Sequence, residues 1–243
     1  MAMFPPFPDA PDTRAPRYAL YYLPEPGSPL AEFGARWLGR DCATGEMLAQ
    51  PGVPGLAPET LADITASARN YGFHATLKAP FHLKAGQTED SLRDAMRARA
   101  ASLEAFDVGL ALRDLGGFLA LMMAPSDHRM TELAAVCVRE FEPFRAALAD
   151  RDLERRRKAN LSSQQDTLLQ RWGYPYVMEE FRFHMTLSKR LSDGPDRAAV
   201  IAALESLTAE VTARPARIDA ISLVKQDSRD APFVLVERFL FAG

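Results

Sequence analysis

Histidine and cysteine, the residues that most often carry metal or nucleophilic chemistry, are scarce in this chain: four and two among 243 residues. Cys42 and Cys137 stand alone, in no C-x-x-C or other metal-like spacing. They read as small buried hydrophobes in a reducing compartment, not as a disulfide. Long apolar runs are missing as well. The longest, Phe118 to Pro125, is far short of the ~20 residues a membrane helix needs, so no membrane partner is expected. The opening segment MAMFPPFPDAPDTRAP, residues 1–16, lacks the basic start and continuous apolar run of a signal peptide. Its prolines predict an extended lead-in, and the cytoplasm is the expected compartment. Neither sign of charge dominates: 29 Lys and Arg stand against 32 Asp and Glu, a net charge of −3. That argues against a whole-surface nucleic-acid or anionic-membrane binder and leaves room for a local basic site.

What is present is ordinary for a globular chain, with 47% hydrophobic and 25% charged residues and enough length to bury a core without staples. Arg17 to Leu23 reads as a strand, Leu30 to Leu38 as a short helix, and Gly45 to Pro58 as a Gly/Pro-rich loop. Glu59 to Asn70 is helical, with Leu61, Ile64 and Ala68 on one stripe, and Tyr71 to Leu83 is a strand ending near Pro80. Thr88 caps a helix running to about Ala105. Strands follow at Phe106–Arg113 and Phe118–Met123, joined through Gly116 and Gly117. Asp127 to Leu148 is a long helix, Asp152 to Leu169 helical or irregular, and Trp172 to Tyr176 a break. Phe183 to Arg190 is strand-like, and a helix starts near Pro195 with the stripe Val200, Ile201, Leu204, Leu207 and Val211. Arg217–Gln226 and Phe233–Phe241 close the chain as strands.

The order Phe-His-x-Thr-Leu, helix, strand, strand occurs twice, the second histidine 110 residues after the first. Such a repeat predicts a duplicated α+β fold: residues 17–243 form one bilobal domain, two antiparallel sheets with flanking helices around a central cleft. Within each tetrapeptide, His74-Ala75-Thr76-Leu77 and His184-Met185-Thr186-Leu187, strand alternation puts His and Thr on one face. Phe73, Ala75 and Leu77 take the other, as do Phe183, Met185 and Leu187. Two imidazoles facing one cleft can take a proton from a hydroxyl or water and deliver one to a leaving oxygen. Each threonine can hydrogen-bond a phosphoryl oxygen. The scheme needs no metal or other cofactor, and the histidines lack H-x-H and H-E-x-x-H spacing.

Two H-x-T-L motifs in a duplicated α+β chain resemble the two-histidine (2H) phosphoesterase superfamily. YGFHATLKAPF, WGYPYV and FRFHMTL are similar to a branch encoded with phosphonate-utilisation genes. The resemblance covers nearly the whole chain after Pro16. It implies a hydrolase: a metal-independent phosphodiesterase for a small cyclic or linear phosphodiester, with His74 and His184 as acid and base and Thr76 and Thr186 as phosphate ligands. Two other readings compete with it, an RNA 2′,3′-cyclic phosphodiesterase/ligase-like processing enzyme and a non-catalytic binder of a phosphorylated metabolite. A small phosphorylated substrate is expected ahead of RNA. Which histidine is acid, the reaction direction and the oligomeric state stay open.

Other candidates carry two readings each. Lys78 lies on the His74 face by alternation and either neutralises phosphate or is a solvated strand-end lysine. Arg171, Trp172, Tyr174 and Tyr176 are a lid or stacking wall, or else packing anchors. Arg151 to Lys158 (RDLERRRK) is a solvated helix face or an anion-steering patch. His82 and His128 belong to no repeated motif and read as structural or surface residues, and Tyr18 and Tyr22 read as core.

Overall fold

The computed structural model describes residues 15–242; the lead-in expected over residues 1–16 lies almost wholly outside the described residues. The chain is α+β, with every strand pair antiparallel. The first half comprises β1 (Arg17–Tyr22), α1 (Pro29–Leu38), α2 (Pro58–Tyr71), β2 (Ala75–Phe81), α3 (Glu89–Ala100), β3 (Phe106–Val108), β4 (Leu110–Asp114) and β5 (Leu119–Met123). The second comprises α4 (His128–Glu140), α5 (Asp150–Arg157), α6 (Ser163–Trp172), β6 (His184–Thr186), α7 (Pro195–Val211), β7 (Ala216–Ile218), β8 (Ala220–Gln226) and β9 (Val234–Leu240). Thr88 caps α3 through a reciprocal box with Ser91, as its sequence position predicts.

The strands do not sort by halves. One sheet runs β2-β1-β8-β9, a second β4-β5-β6, and β3 pairs with β7 alone. The two larger antiparallel sheets do not follow the two repeats: the C-terminal hairpin β8-β9 joins the N-terminal strands, and β6 completes the β4-β5 hairpin. The runs expected as single strands, Phe106–Arg113 and Arg217–Gln226, each divide, at Gly109 and Asp219. The first pieces, β3 and β7, pair with one another across the halves. The long helix expected over Asp127–Leu148 stops at Glu140, ahead of a short 3-10 turn at Glu142–Phe144 that contains Pro143.

β1 is buried on both faces, which is why RYALYYL reads as a continuous apolar run. Tyr18, Leu20 and Tyr22 enter a core cluster that extends to Phe241, whereas Ala19, Tyr21 and Leu23 pack with Cys42, Val224 and Phe233 on the other side. Tyr18 and Tyr22 are core residues, and Cys42 and Cys137 are free and buried. On α7 the buried row is Val200, Leu204 and Thr208, while Leu207 is 40% exposed. A spacing of four, not three, follows the packed face here, so the predicted stripe is one residue off at its third turn. Among the described residues no helix is long and apolar enough to cross a membrane.

Candidate functional site

β2 and β6 are the edge strands of the two larger sheets and lie beside one another across the gap between them. This brings the two H-x-T-L motifs together. In both, the alternation is as the sequence predicts: Phe73, Ala75, Leu77, Phe183, Met185 and Leu187 are buried, and His74, Thr76, His184 and Thr186 are partly exposed.

The histidines are held alike. His74 Nδ1 lies 2.9 Å from the Gly72 carbonyl, and His184 Nδ1 lies 2.7 Å from the Arg182 carbonyl. A carbonyl only accepts, so each Nδ1 carries a proton and donates it, which leaves Nε2 of a neutral ring as an acceptor. The backbone two residues upstream thus sets both tautomers. At His74 the Thr76 hydroxyl closes the arrangement, 3.1 Å from Nε2, and donates to it.

Gly72 makes the first of these bonds possible. It ends α2 with φ 82°, a conformation that favours glycine, and its N–H bonds back to the Ala68 carbonyl at 2.9 Å. A Cβ there would stand 2.5 Å from Cys42 Cβ. The glycine after the helix end in YGFH was a visible signal, though its role in aiming a carbonyl at the imidazole was not.

His74 lies against the Tyr21 ring, with centroids 3.8 Å apart and planes at 24°. Burial pushes its pKa down to about 4; the Gly72 carbonyl opposes this and the nearby His184 adds to it. At neutral pH His74 is uncharged. His184 has a different neighbour, the edge of Phe118 at 6.0 Å.

A groove of about 540 Å³ runs past the motifs, lined by Thr76, Phe118, Tyr174, Tyr176, His184 and Arg190, among others. His74 sits behind Thr76 and reaches the groove through that hydroxyl. Thr186, paired with Ala120 in the ladder, is on the His184 face but does not line the groove. Tyr174 lines it, packed edge-on to Tyr176 at 5.6 Å.

Two expected ligand residues are elsewhere. Lys78 is 3% exposed, its Nζ bonded to Glu142 Oε2 at 2.8 Å and to the Val138 carbonyl at 3.0 Å. Helix α4 covers this end of β2, so the lysine is neither solvated nor free for phosphate. Arg171 is exposed, stacked over Trp172 at 4.6 Å, and does not line the groove. His128 is exposed and His82 half-buried on the Pro16 carbonyl at 3.1 Å. Tyr21 was missed, although alternation from Tyr22 places it on the face opposite the main core. Among the described residues no three His, Cys, Asp or Glu side chains gather into a metal-binding group.

Relatives with curated names bear on the activity. The chain is 42% identical over 233 residues to the ribose 1,5-bisphosphate phosphokinase PhnN of Janthinobacterium sp. (strain Marseille), covering 93% of this chain and 51% of that protein. It is 36% identical over 177 residues to the protein of the same name from Laribacter hongkongensis (strain HLHK9), covering 73% of this chain and 41% of that one. The chain thus spans about half the length, or less, of the curated relatives it matches. These names correct the expected activity. They describe a phosphokinase, a transferase, and not a phosphoric diester hydrolase, and they favour neither the RNA-processing reading nor the non-catalytic binder. Among solved structures, a conserved protein of unknown function from Agrobacterium tumefaciens str. C58 aligns over 92% of this chain and 85% of its own, at 15% identity and a TM-score of 0.44. A family model described as "Protein of unknown function (DUF1045)" matches residues 76–234. The chain belongs to the DUF1045 family.

Proposed function

We propose that this chain binds a phosphorylated ribose in the groove between β2 and β6 and handles protons there during phosphoryl-group chemistry, in the phosphonate-linked setting that its sequence resembles. The observation that carries the proposal is the pair of imidazoles held in one tautomer at facing sheet edges, with the Thr76 hydroxyl on His74. The names of the curated relatives supply the ligand class, ribose 1,5-bisphosphate. The chain contains no G-x-x-x-x-G-K-[ST] run to cradle the phosphates of a nucleotide. In this reading the chain takes the sugar-phosphate end of the reaction.

Each residue has a part in this scheme. His74 is neutral before ligand arrives, and an anionic phosphoryl group beside it raises its proton affinity toward the working range. It can then accept a proton from a ribose or phosphate oxygen. Its Nδ1–H stays on Gly72, so the ring does not rotate as the proton moves. Thr76 turns its hydroxyl from Nε2 to a phosphoryl oxygen, and His184 offers a second Nε2 across the groove. Tyr174 and Phe118 wall the sugar and exclude water.

Calorimetric titration with ribose 5-phosphate and ribose 1,5-bisphosphate tests this. Wild type should bind both, and His74→Gln with His184→Gln should weaken binding about tenfold or more while the fold survives. Phosphorus NMR with ATP and magnesium present then reads any transfer. Failure of wild type to bind either sugar phosphate overturns the proposal, as does equal affinity in the double variant.

A further inference from the structure

Beyond the Tyr21–His74 stack the chain gathers a group of cations that the groove does not use. Arg17, at the start of β1, lies over the Phe233 ring at 5.6 Å and holds Gln226 Oε1 through Nε at 2.8 Å. Arg156 turns inward from α5 to stand 5.2 Å from the Tyr174 ring centroid. Arg229, between β8 and β9, and Arg155 share a single oxygen, Asp152 Oδ1, at 3.1 and 3.0 Å. Asp152 is the only carboxylate bonded to any of these four arginines among the described residues.

Like charges repel, and here they act on one another. Burial chiefly, then Arg229 and Arg155 against an opposing Tyr71, lowers the pKa of Arg17; burial, then Arg155 and Arg17, lowers that of Arg156. The Nε atoms of Arg156 and Arg229 are buried with no hydrogen-bond partner among the described residues. His82 stands in the same group, its proton affinity lowered chiefly by burial and further by Arg17 and Arg229, against the Pro16 carbonyl and Asp152. Arg155 and Arg229 share the Asp152 carboxylate, Gln226 links Arg17 to the Arg229 carbonyl, and Arg156 follows Arg155 on α5, which leaves an excess of positive charge with unspent donors. Guanidinium forks match phosphate oxygens.

An aromatic wall connects this cluster to the histidines. Tyr71 stacks on Phe233 at 5.4 Å and 17°, and its ring centroid is 6.2 Å from that of His74. Tyr174 borders both the groove and Arg156.

We propose that Arg17, Arg156 and Arg229 form a second anion subsite, which takes the far phosphate of a sugar bisphosphate whose near phosphate lies at His74 and His184. The bisphosphate part rests on the function proposed above; the anion subsite stands on the cluster itself. Of the run Arg151–Lys158, only the inward face then serves the ligand. Arg157 is occupied by Asp166, at 2.6 Å.

The test uses inorganic phosphate, ribose 5-phosphate and ribose 1,5-bisphosphate against wild type, Arg156→Gln, Arg229→Lys and, as a control on the outward face of the same helix, Arg157→Gln. Arg156 has no ion pair to lose, and Arg229→Lys keeps a cation on Asp152, so both variants should fold. Inorganic phosphate should bind wild type and Arg157→Gln alike and Arg156→Gln about tenfold more weakly. Arg229→Lys should fall between them, because a point charge replaces a fork. The bisphosphate should bind wild type about tenfold more tightly than the monophosphate, a gap that Arg156→Gln closes. Unchanged phosphate affinity in Arg156→Gln, or no phosphate binding by wild type, overturns the subsite. Phosphate binding lost in Arg156→Gln with no preference for the bisphosphate would keep the subsite and overturn its link to a ribose bisphosphate.

Discussion

The imidazole of His74 lies flat against the ring of Tyr21, centroids 3.8 Å apart, and the Tyr21 hydroxyl is buried with no hydrogen-bond partner among the described residues. Stacking and hydroxyl are separable. Tyr21→Phe keeps the ring and removes an unpaired polar group, so it should leave stability unchanged or raise it by up to ~1 kcal/mol. Tyr21→Ala should cost about 3–5 kcal/mol through the cavity it leaves and let water reach His74, raising its pKa. Urea unfolding and an NMR titration of the two variants check both halves.

The pH dependence has a definite sign. His74 titrates at about 4 in the folded chain against an ordinary 6.5. Between those values the unfolded chain holds the proton and the folded chain does not. Its contribution therefore makes stability rise with pH from about 4 to 6.5, and stability is lost as pH falls through that window. His74→Gln should flatten the slope there. An NMR midpoint for His74 near 6.5 in the ligand-free protein would contradict this account of the site.

Thr76 is expected to act through its hydroxyl, not its shape. Thr76→Ser keeps the donor to His74 Nε2, and Thr76→Val removes it at nearly constant volume. The valine variant should bind ribose 5-phosphate about fivefold more weakly, the ~1 kcal/mol of one net hydrogen bond, and shift the His74 ring nitrogens in the NMR spectrum. Serine should restore both.

Lys78 separates a stability role from a ligand role. Its buried pair with Glu142 predicts that Lys78→Ala costs about 3 kcal/mol, the low end for breaking such a pair, because Glu142 keeps Arg145 at 2.6 Å. Affinity for sugar phosphates should stay within about twofold, since the lysine does not reach the groove. A tenfold loss of affinity with stability intact would return Lys78 to the ligand site.

Gly34→Ala tests how the first motif is seated. A Cβ on Gly34 in α1 would enter the Phe73 ring, itself edge-on to Phe33 at 5.9 Å. Overpacking of this kind costs ~1–3 kcal/mol. Because Phe73 precedes His74, the variant should also move the His74 resonances, whereas an alanine at the open Gly52 should not.

Local pattern determined a good deal by itself. The alternation in HATL and HMTL put His and Thr on one face, the Thr88 cap started α3, and RYALYYL was a buried strand, because period-two geometry and capping depend only on near neighbours. Those same rules are silent about which strands meet. The tertiary structure decided that β8 and β9 join β1 and that β6 joins β5, since ladder pairing is a long-range choice made by shared core faces. It also decided the fate of Lys78, which alternation left on the histidine face and α4 then covered. Tyr21 against His74, Arg155 and Arg229 on Asp152, and Arg17 joined to Arg229 through Gln226 unite residues up to 212 positions apart. No spacing in the sequence encodes such a meeting, because burial and electrostatic neighbourhood exist only once the sheets have packed.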